Sequence, residues 1–445
     1  MANEKQNNIL SRIMKTASEV EPNELKATFV SFTFVFVIMA AYYILRPVRD
    51  AMASDWTDAE VSFLWSTNFF ISIGIVALYG FAVSRLKFRN LVPGVYGFFG
   101  TSFILFYLAV TLTPDRTIMD KCFYVWLSVF SLFHISVFWS YMSDTFNKEQ
   151  AKRLFAIIAA GASAGALLGP ALPTLFARIL GTDTLLLIAA IMMIIPVPLI
   201  FYLARLKVTD LHNEDIHADL SAAKIGGNPF AGFKLFITNP YLLAIGVFIL
   251  LYTMIGSFIY FEQKNLLADF DRAQRTQMLG LVDWTTNILT FTLAFFVTSR
   301  LVKRLGMGPT LALLPFFVVG GMLILAFAPI VIVVLALQVA RRGGNYAITR
   351  PAREMLFTEV DRETRFKAKP VVDIIVYRGG DMITSWMFAG LTEGLGLGMG
   401  VVAAIGAGIA AVWAVFGLFL GKLYNRERDA TPAQVGGTGP ATQPE

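Results

Sequence analysis

The sequence predicts an all-α, polytopic membrane protein of about twelve transmembrane helices in two six-helix bundles, and three observations carry that prediction. Apolar residues make up 56% of the 445, and the mean hydropathy is +0.63. Only 15% of residues are charged, too few to solvate the surface of two or three soluble domains. Finally, stretches of about 20 mostly apolar residues, the length that crosses the hydrocarbon core, recur along the whole chain.

The spans fall near residues 25–45, 60–83, 91–112, 120–143, 154–179, 184–204, 239–261, 276–299, 309–328, 330–355, 370–390 and 398–421. No ten-residue alternation of barrel strands is present, so helices must satisfy the backbone in lipid. Residues 1–24 are polar and lack a small-residue cleavage site, so the first span is expected to stay in the product. Residues 25–206 form the first bundle and 239–424 the second. Between them, 207–238 is a polar loop containing Gly226-Gly227-Asn228-Pro229 and a short amphipathic piece, Phe230–Ile237. The tail, 425–445, is rich in Gly, Pro and Thr and is expected to be disordered.

Basic residues orient the chain. On one side the loops hold roughly 23 of the 37 lysines and arginines, against about seven on the other. Arg85, Lys87 and Arg89 follow span two; Lys148, Lys152 and Arg153 follow span four; Arg300, Lys303 and Arg304 follow span eight; Arg362, Arg365, Lys367 and Lys369 follow span ten. Both termini are therefore expected to be cytoplasmic, in a bacterial inner membrane. The net charge of +6 reflects this topology, and no nucleic-acid partner is read into it. Cys122 is the one cysteine, which excludes an intramolecular disulfide and a cysteine metal site. His134, His212 and His217 show no ligand spacing. Neither metal nor cofactor is expected.

Charged residues within spans mark the functional candidates. Arg46, Arg49 and Asp50 share a helix face at i, i+3 and i+4. They read either as arginines snorkelling at a helix end or as an arginine pair at a cavity mouth. In span ten, Arg341-Arg342-Gly343-Gly344-Asn345 interrupts an apolar run, and Arg350-Pro351-Ala352-Arg353-Glu354 follows. A charge inside a membrane segment costs about 2.5–3.5 kcal/mol on insertion scales. Such charges therefore face a wet cavity, pair, or sit near an interface, and Arg350 is placed to pair with Glu354. Gly343, Gly344 and Pro351 predict a broken or kinked helix. On span eleven, Asp373, Tyr377 and Asp381 form one stripe at i, i+4 and i+8, with Arg378 beside it. Asp283 and Glu262 add carboxylates on spans eight and seven. In span five, Gly161, Gly165 and Gly169 lie four apart, with Pro170 and Pro173 beyond. They allow close helix approach, either for packing alone or as a bending surface that glides during transport.

The six-plus-six layout, the central loop, the Gly-Pro motif of span five and the basic turn Gly80–Arg89 resemble the major facilitator superfamily, which places its substrate between two halves near the midplane. Three stretches are also similar to the bacterial and plastid ATP/ADP translocases: Tyr43–Asp50; Phe138-Trp139-Ser140 through Glu149–Phe155; and Asn345–Met355 with Asp361-Arg362-Glu363, Lys367-Ala368-Lys369 and Val371-Val372-Asp373. That resemblance implies nucleotide exchange through a few intramembrane charges. Here Arg49 stands at the family's lysine, Tyr124–Leu132 carries no acid where a glutamate is expected, the acid near Tyr260–Lys264 is shifted to Glu262, and Asp381 stands where the family has a lysine.

Three functional readings follow. One is a secondary transporter of a small organic anion, a nucleotide or another phosphorylated or carboxylated solute, with Arg46, Arg49, Arg341, Asn345, Arg350 and Arg378 as ligands, since the arginine fork binds two oxygens at once. Another is a proton-coupled exporter of amphipathic or cationic compounds, using Asp283, Asp373 and Asp381, with Asp50, Glu262 and Glu354 as further coupling or ion-pair residues. The last is a membrane scaffold or sensor without transport. No Gly-x-x-x-x-Gly-Lys-Ser/Thr loop occurs, so an enzyme or ATP-driven motor is not expected. The expected partners are the solute, the lipid bilayer and protons as coupling ion, for a monomeric protein.

Overall fold

The computed structural model describes residues 20–85, 88–213, 229–296, 298–360 and 371–430, and every regular element among them is helical. Spans one to four are α1 (Leu25–Met52), α2 (Asp58–Arg85), α3 (Phe88–Leu112) and α4 (Thr117–Thr145). The next stretch, Lys148–Thr209, is 62 residues long, about 93 Å if straight, three times the hydrocarbon core. Gly181 divides it: its φ of 76° is open to glycine and strained for residues with a Cβ. Span five is thus α5 (Lys148–Leu168) with the first part of α6 (Ala171–Ile194), bent at Gly169-Pro170, and span six is the rest of α6 with α7 (Pro196–Thr209).

A capping box starts α5: Asn147 accepts from the Gln150 amide at 2.8 Å, and Gln150 accepts from the Asn147 amide at 3.1 Å. The amphipathic piece is α8 (Pro229–Thr238). Span seven, α9 (Pro240–Leu266), starts with Asn239 as N-cap and Pro240 at the first helical position. Span eight is α10 (Arg272–Phe296), followed by the short α11 (Thr298–Leu305); span nine is α12 (Met307–Phe327). Span ten comprises α13 (Val331–Gly344), a π turn over Asn345–Thr349 and α14 (Arg350–Leu356). Span eleven has π turns over Val372–Val376 and Gly390–Gly394 around α15 (Tyr377–Ala389), and span twelve is α16 (Met399–Ala430). That last helix runs past the expected boundary at 425, because Asn425–Asp429 are helix-compatible and carry on from the buried Tyr424. Residues 431–445 lie outside the described residues, as do 1–19, most of the central loop, and the basic stretch 361–370.

Among the described residues, seven stretches are long and apolar enough to cross a membrane. Spans two, eight, ten and eleven are missing from those seven, and the last three carry Asp283, Arg341, Arg342, Arg378 and Asp381. In the first half α1 packs on α4, α5, α6 and α7; in the second, α12 lies along α16, and α9 touches α13, α15 and α16. Close approach of α12 and α16 rests on glycine: Gly421 faces the backbone of Gly308, and Gly417 faces that of Ala312. Between the halves, α10 packs on α6 and α1, and α15 packs on α2.

Candidate substrate cavity

A cavity of about 300 Å³ lies between the two halves. From the first half, α1 contributes Arg46, Arg49 and Asp50, α2 contributes Trp65 and Asn68, and α4 contributes Tyr124 and Ser128. From the second come Tyr252, Tyr260 and Gln263 on α9, Asp283 on α10, Arg341, Arg342 and Tyr346 on span ten, and Tyr377, Arg378 and Asp381 on α15. Asp283 is eleven residues in from Arg272, and Arg342 eleven in from Val331. At 1.5 Å per residue that is about 16 Å, near the middle of a ~30 Å hydrocarbon core.

The walls hold five arginines against three aspartates. Arg49 Nη2 lies 2.6 Å from Asp50, its Nη1 donates to Ser128 Oγ at 3.2 Å, and its guanidinium sits 5.3 Å from the Tyr124 ring centre. Arg46 is 3.8 Å from Asp50 and 3.7 Å from Asp283, while Arg342 Nη1 meets the same Asp283 oxygen at 2.6 Å. Nε and Nη2 of Arg341 both donate to Gln338, and the group lies over Tyr252 at 5.6 Å. Ser257 donates to Asp381 at 3.4 Å. If all eight groups are ionised the lining carries a surplus of two positive charges.

Of the residues singled out in the sequence, Arg46, Arg49, Asp50, Asp283, Arg341, Arg378 and Asp381 line this cavity. Asn345 is buried in the π turn and does not line it. Arg350 is exposed and also lies outside the lining. The π turn shifts the helical register: Arg342, ahead of it, and Tyr346, at its start, line the cavity, and Arg350, after it, does not. The ion pair seen at Glu354 is with its neighbour Arg353, whose other donor meets the Tyr377 hydroxyl. The side chain of Asp373 lies outside the described residues; the π turn Val372–Val376 separates it from Tyr377, so an α-helical stripe through all three positions does not hold. Tyr377 and Asp381 share the cavity. Glu262 is fully buried beside the lining, with both carboxylate oxygens unpartnered.

Where a broken or kinked helix is expected, at Gly343, Gly344 and Pro351, the helical backbone runs on through the π turn, and Pro351 sits at the start of α14, where a proline is tolerated. The glycines of span five pack within their own half. A Cβ on Gly161 would lie 2.5 Å from the Phe32 carbonyl oxygen of α1, and one on Gly169 2.7 Å from that of Ala40; Gly165 faces the Phe36 carbonyl. Contact between halves is made one face round, where Asn287 and Gln277 of α10 donate to the carbonyls of Ala166 and Thr174 at 2.5 and 3.0 Å. The run Gly161-Ala162-Ser163-Ala164-Gly165 has the spacing of a hydrolase nucleophile elbow, but Ser163 is mid-helix with its hydroxyl on the Ala159 carbonyl, not at a strand-to-helix turn.

Sequence reasoning missed a second constellation, on the side of the cavity away from the termini. Lys264 is 3% exposed and pairs with Asp58 at 2.7 Å while donating to the Trp56 carbonyl. Asn265 and Thr392 also donate to Asp58, and Glu393 accepts from the amides of Asp58 and Ala59 at the start of α2. Arg272 spans Asp55 and Asp120 at 2.5 and 2.8 Å, and Arg275 reaches Asp55. Each of these bonds joins one half to the other across roughly 150 residues or more of sequence, a pairing no local motif signals.

A sequence model of the Major Facilitator Superfamily matches residues 27–360. The chain belongs to that superfamily. It is a multi-pass membrane protein with the fold of secondary transporters. It is 19% identical to ADP,ATP carrier protein 1 of Chlamydia pneumoniae over 91% of this chain and 92% of that one. Among solved structures it is similar to a bacterial homologue of the human lysosomal transporter Spinster, inward-facing and unoccupied (TM-score 0.57, 13% identity, 93% of this chain and 100% of that one). It is also similar to the nucleoside transporter NupG (TM-score 0.56, 14% identity, 90% and 99%).

Proposed function

We propose that this superfamily member carries a small organic anion of the nucleotide class across a bacterial inner membrane by alternating access, with both termini in the cytoplasm. The observation that carries the reading is the midplane cavity with five arginines against three aspartates. Arginine suits phosphate because the guanidinium is permanently charged and presents a two-pronged donor set. Aromatic residues on the same walls, Trp65, Tyr252 and Tyr377, offer faces for a planar base. The likeness to an ADP,ATP carrier supports the same substrate class. In this account the cross-half bonds around Asp58, Asp55 and Asp120 close the side away from the termini, so the conformation described opens toward the cytoplasm.

The test is uptake of labelled ATP into proteoliposomes, challenged with unlabelled ADP, orthophosphate, malonate and a lipophilic cation. Inhibition by ADP but not by the cation supports the reading; inhibition by the cation alone returns the exporter reading.

Protons enter as a coupling ion through Glu262. A carboxylate with both oxygens buried and unpartnered is far costlier ionised than protonated. It precedes cavity-lining Gln263 and Lys264, the partner of Asp58, on the same helix, so opening that side would wet it. If uptake responds equally to a proton gradient in wild type and Glu262→Gln, this coupling role is refuted.

A further inference from the structure

Asp283 occupies the place an anion would take. Its carboxylate lies 2.6 Å from Arg342 Nη1 and 3.7 Å from Arg46 Nη1, so one side chain neutralises cations from both halves of the protein. Arg342 is nonetheless incompletely served. Only 6% of it is exposed, and its Nε and Nη2 have no hydrogen-bond partner. Five N–H donors belong to a guanidinium, and leaving charged donors buried and unmet is expensive.

Arg275 shows that a guanidinium buried as deeply in this molecule can be fully served. Arg275 is buried to the same 6%. Its Nε donates to the Leu267 carbonyl at 3.0 Å, its Nη1 reaches Asp55 at 2.5 Å and the Ala51 carbonyl at 3.4 Å, and its Nη2 donates to the Ala268 carbonyl at 2.6 Å. All three nitrogens are used, and the side chain sits outside the cavity lining. Arg342 lines the cavity and leaves two of its three nitrogens open. Tyr346, one turn further along, lines the same wall.

We propose that Arg342, Arg46 and Tyr346 form an oxyanion subsite for a phosphoryl group of the solute, and that Asp283 is its internal competitor. The phosphoryl oxygens take the open Nε and Nη2 of Arg342 and draw Arg46 away from Asp283. Because Arg46 belongs to the first half while Asp283 and Arg342 belong to the second, this exchange of partners replaces a bridge made by protein with one made by solute. The inference deepens the anion-carrier reading and rests on it for the nature of the solute.

The experiment is calorimetric titration of pyrophosphate into the detergent-purified full chain, with malonate in parallel and thermal melting as a check of folding. Wild type is expected to bind pyrophosphate and Asp283→Asn to bind it at least tenfold more tightly, since the competing carboxylate is gone. Arg342→Gln is expected to weaken binding at least tenfold and Arg342→Lys to recover part of it. Tyr346→Phe, which keeps the ring and its packing, is expected to weaken it about threefold and serves if the Asp283 variant fails to fold. Folded Asp283→Asn with unchanged or weaker affinity overturns the competitor role. Unchanged affinity in Arg342→Gln, or malonate bound as tightly as pyrophosphate, overturns the phosphoryl subsite. ATP uptake by a wild type that binds no pyrophosphate sinks the subsite and leaves the carrier reading standing. Pyrophosphate binding with the expected variant responses, in a protein that moves no solute, keeps the subsite and sinks the carrier reading.

Discussion

Replacing Asp58 with asparagine should open the side of the protein away from the termini. In the described conformation the Asp58 and Lys264 side chains are 5% and 3% exposed and 2.7 Å apart, one from each half. Removing one partner of a buried ion pair costs about 3–5 kcal/mol, because the other charge stays buried and uncompensated. Lys264 keeps the Trp56 carbonyl at 2.7 Å, so the lower end applies, about 3 kcal/mol. The penalty falls on the closed arrangement alone, since both groups are wet once the halves part. At 1.4 kcal/mol per decade this shifts the equilibrium by roughly 150-fold. Double electron–electron resonance reads it directly, with spin labels at the exposed Asp115 and Leu395 in a Cys122→Ser background. The Asp58→Asn protein is expected to show a longer-distance population that is minor or absent in the parent. Superimposable distance distributions would refute the claim that this pair holds the side shut.

Other expectations follow from the same geometry. Glu393→Gln keeps an acceptor for the two α2 amides but removes its charge, lowering each bond from about 1.5–3 to about 0.5–1.5 kcal/mol, a loss of about 2 kcal/mol for the pair, and should shift the same distribution in the same direction by less than Asp58→Asn; a larger shift would contradict the ranking. Gly165→Val should lower the melting temperature of the detergent-solubilised protein, at a cost of about 1–3 kcal/mol of overpacking, because the new side chain meets the α1 backbone at Phe36; an unchanged melt would show that α1 and α5 part easily. Trp413→Ala, at a fully buried site against Phe248 and Tyr252, should cost about 3–5 kcal/mol in the same melt.

The positions of the helices were legible because lipid imposes one rule: about 20 apolar residues per crossing. Even the division of a 62-residue helical stretch into two spans could be read, from the polar break around Gly181. Register within spans ten and eleven was not. Both contain π turns, at Asn345–Thr349 and Val372–Val376, and an extra residue in a turn moves every following side chain by about 100°. That is why Arg350 was expected in the cavity and lies outside it; Arg342, ahead of the turn, and Tyr346 line it although the spacing assigned them no role. Local charge motifs such as Arg46–Asp50 were visible because their members are neighbours in sequence. The bonds among Asp58, Lys264 and Thr392 were invisible for the opposite reason: each residue alone looks like an ordinary loop charge or hydroxyl. The glycine stripe of span five signalled close approach of a neighbouring helix, but which helix, α1 of the same half, is set by tertiary structure.

The central claim is that solute crosses through the arginine-lined cavity, and ATP uptake into proteoliposomes preloaded with ADP tests it most directly. Wild type is expected to show saturable uptake that depends on internal ADP, and Arg49→Ala, which takes away the nearer partner of Asp50 and removes a cation from the wall, to lose it at least tenfold. Folded Arg49→Ala protein transporting at the wild-type rate, or folded wild type taking up nothing, would contradict the account.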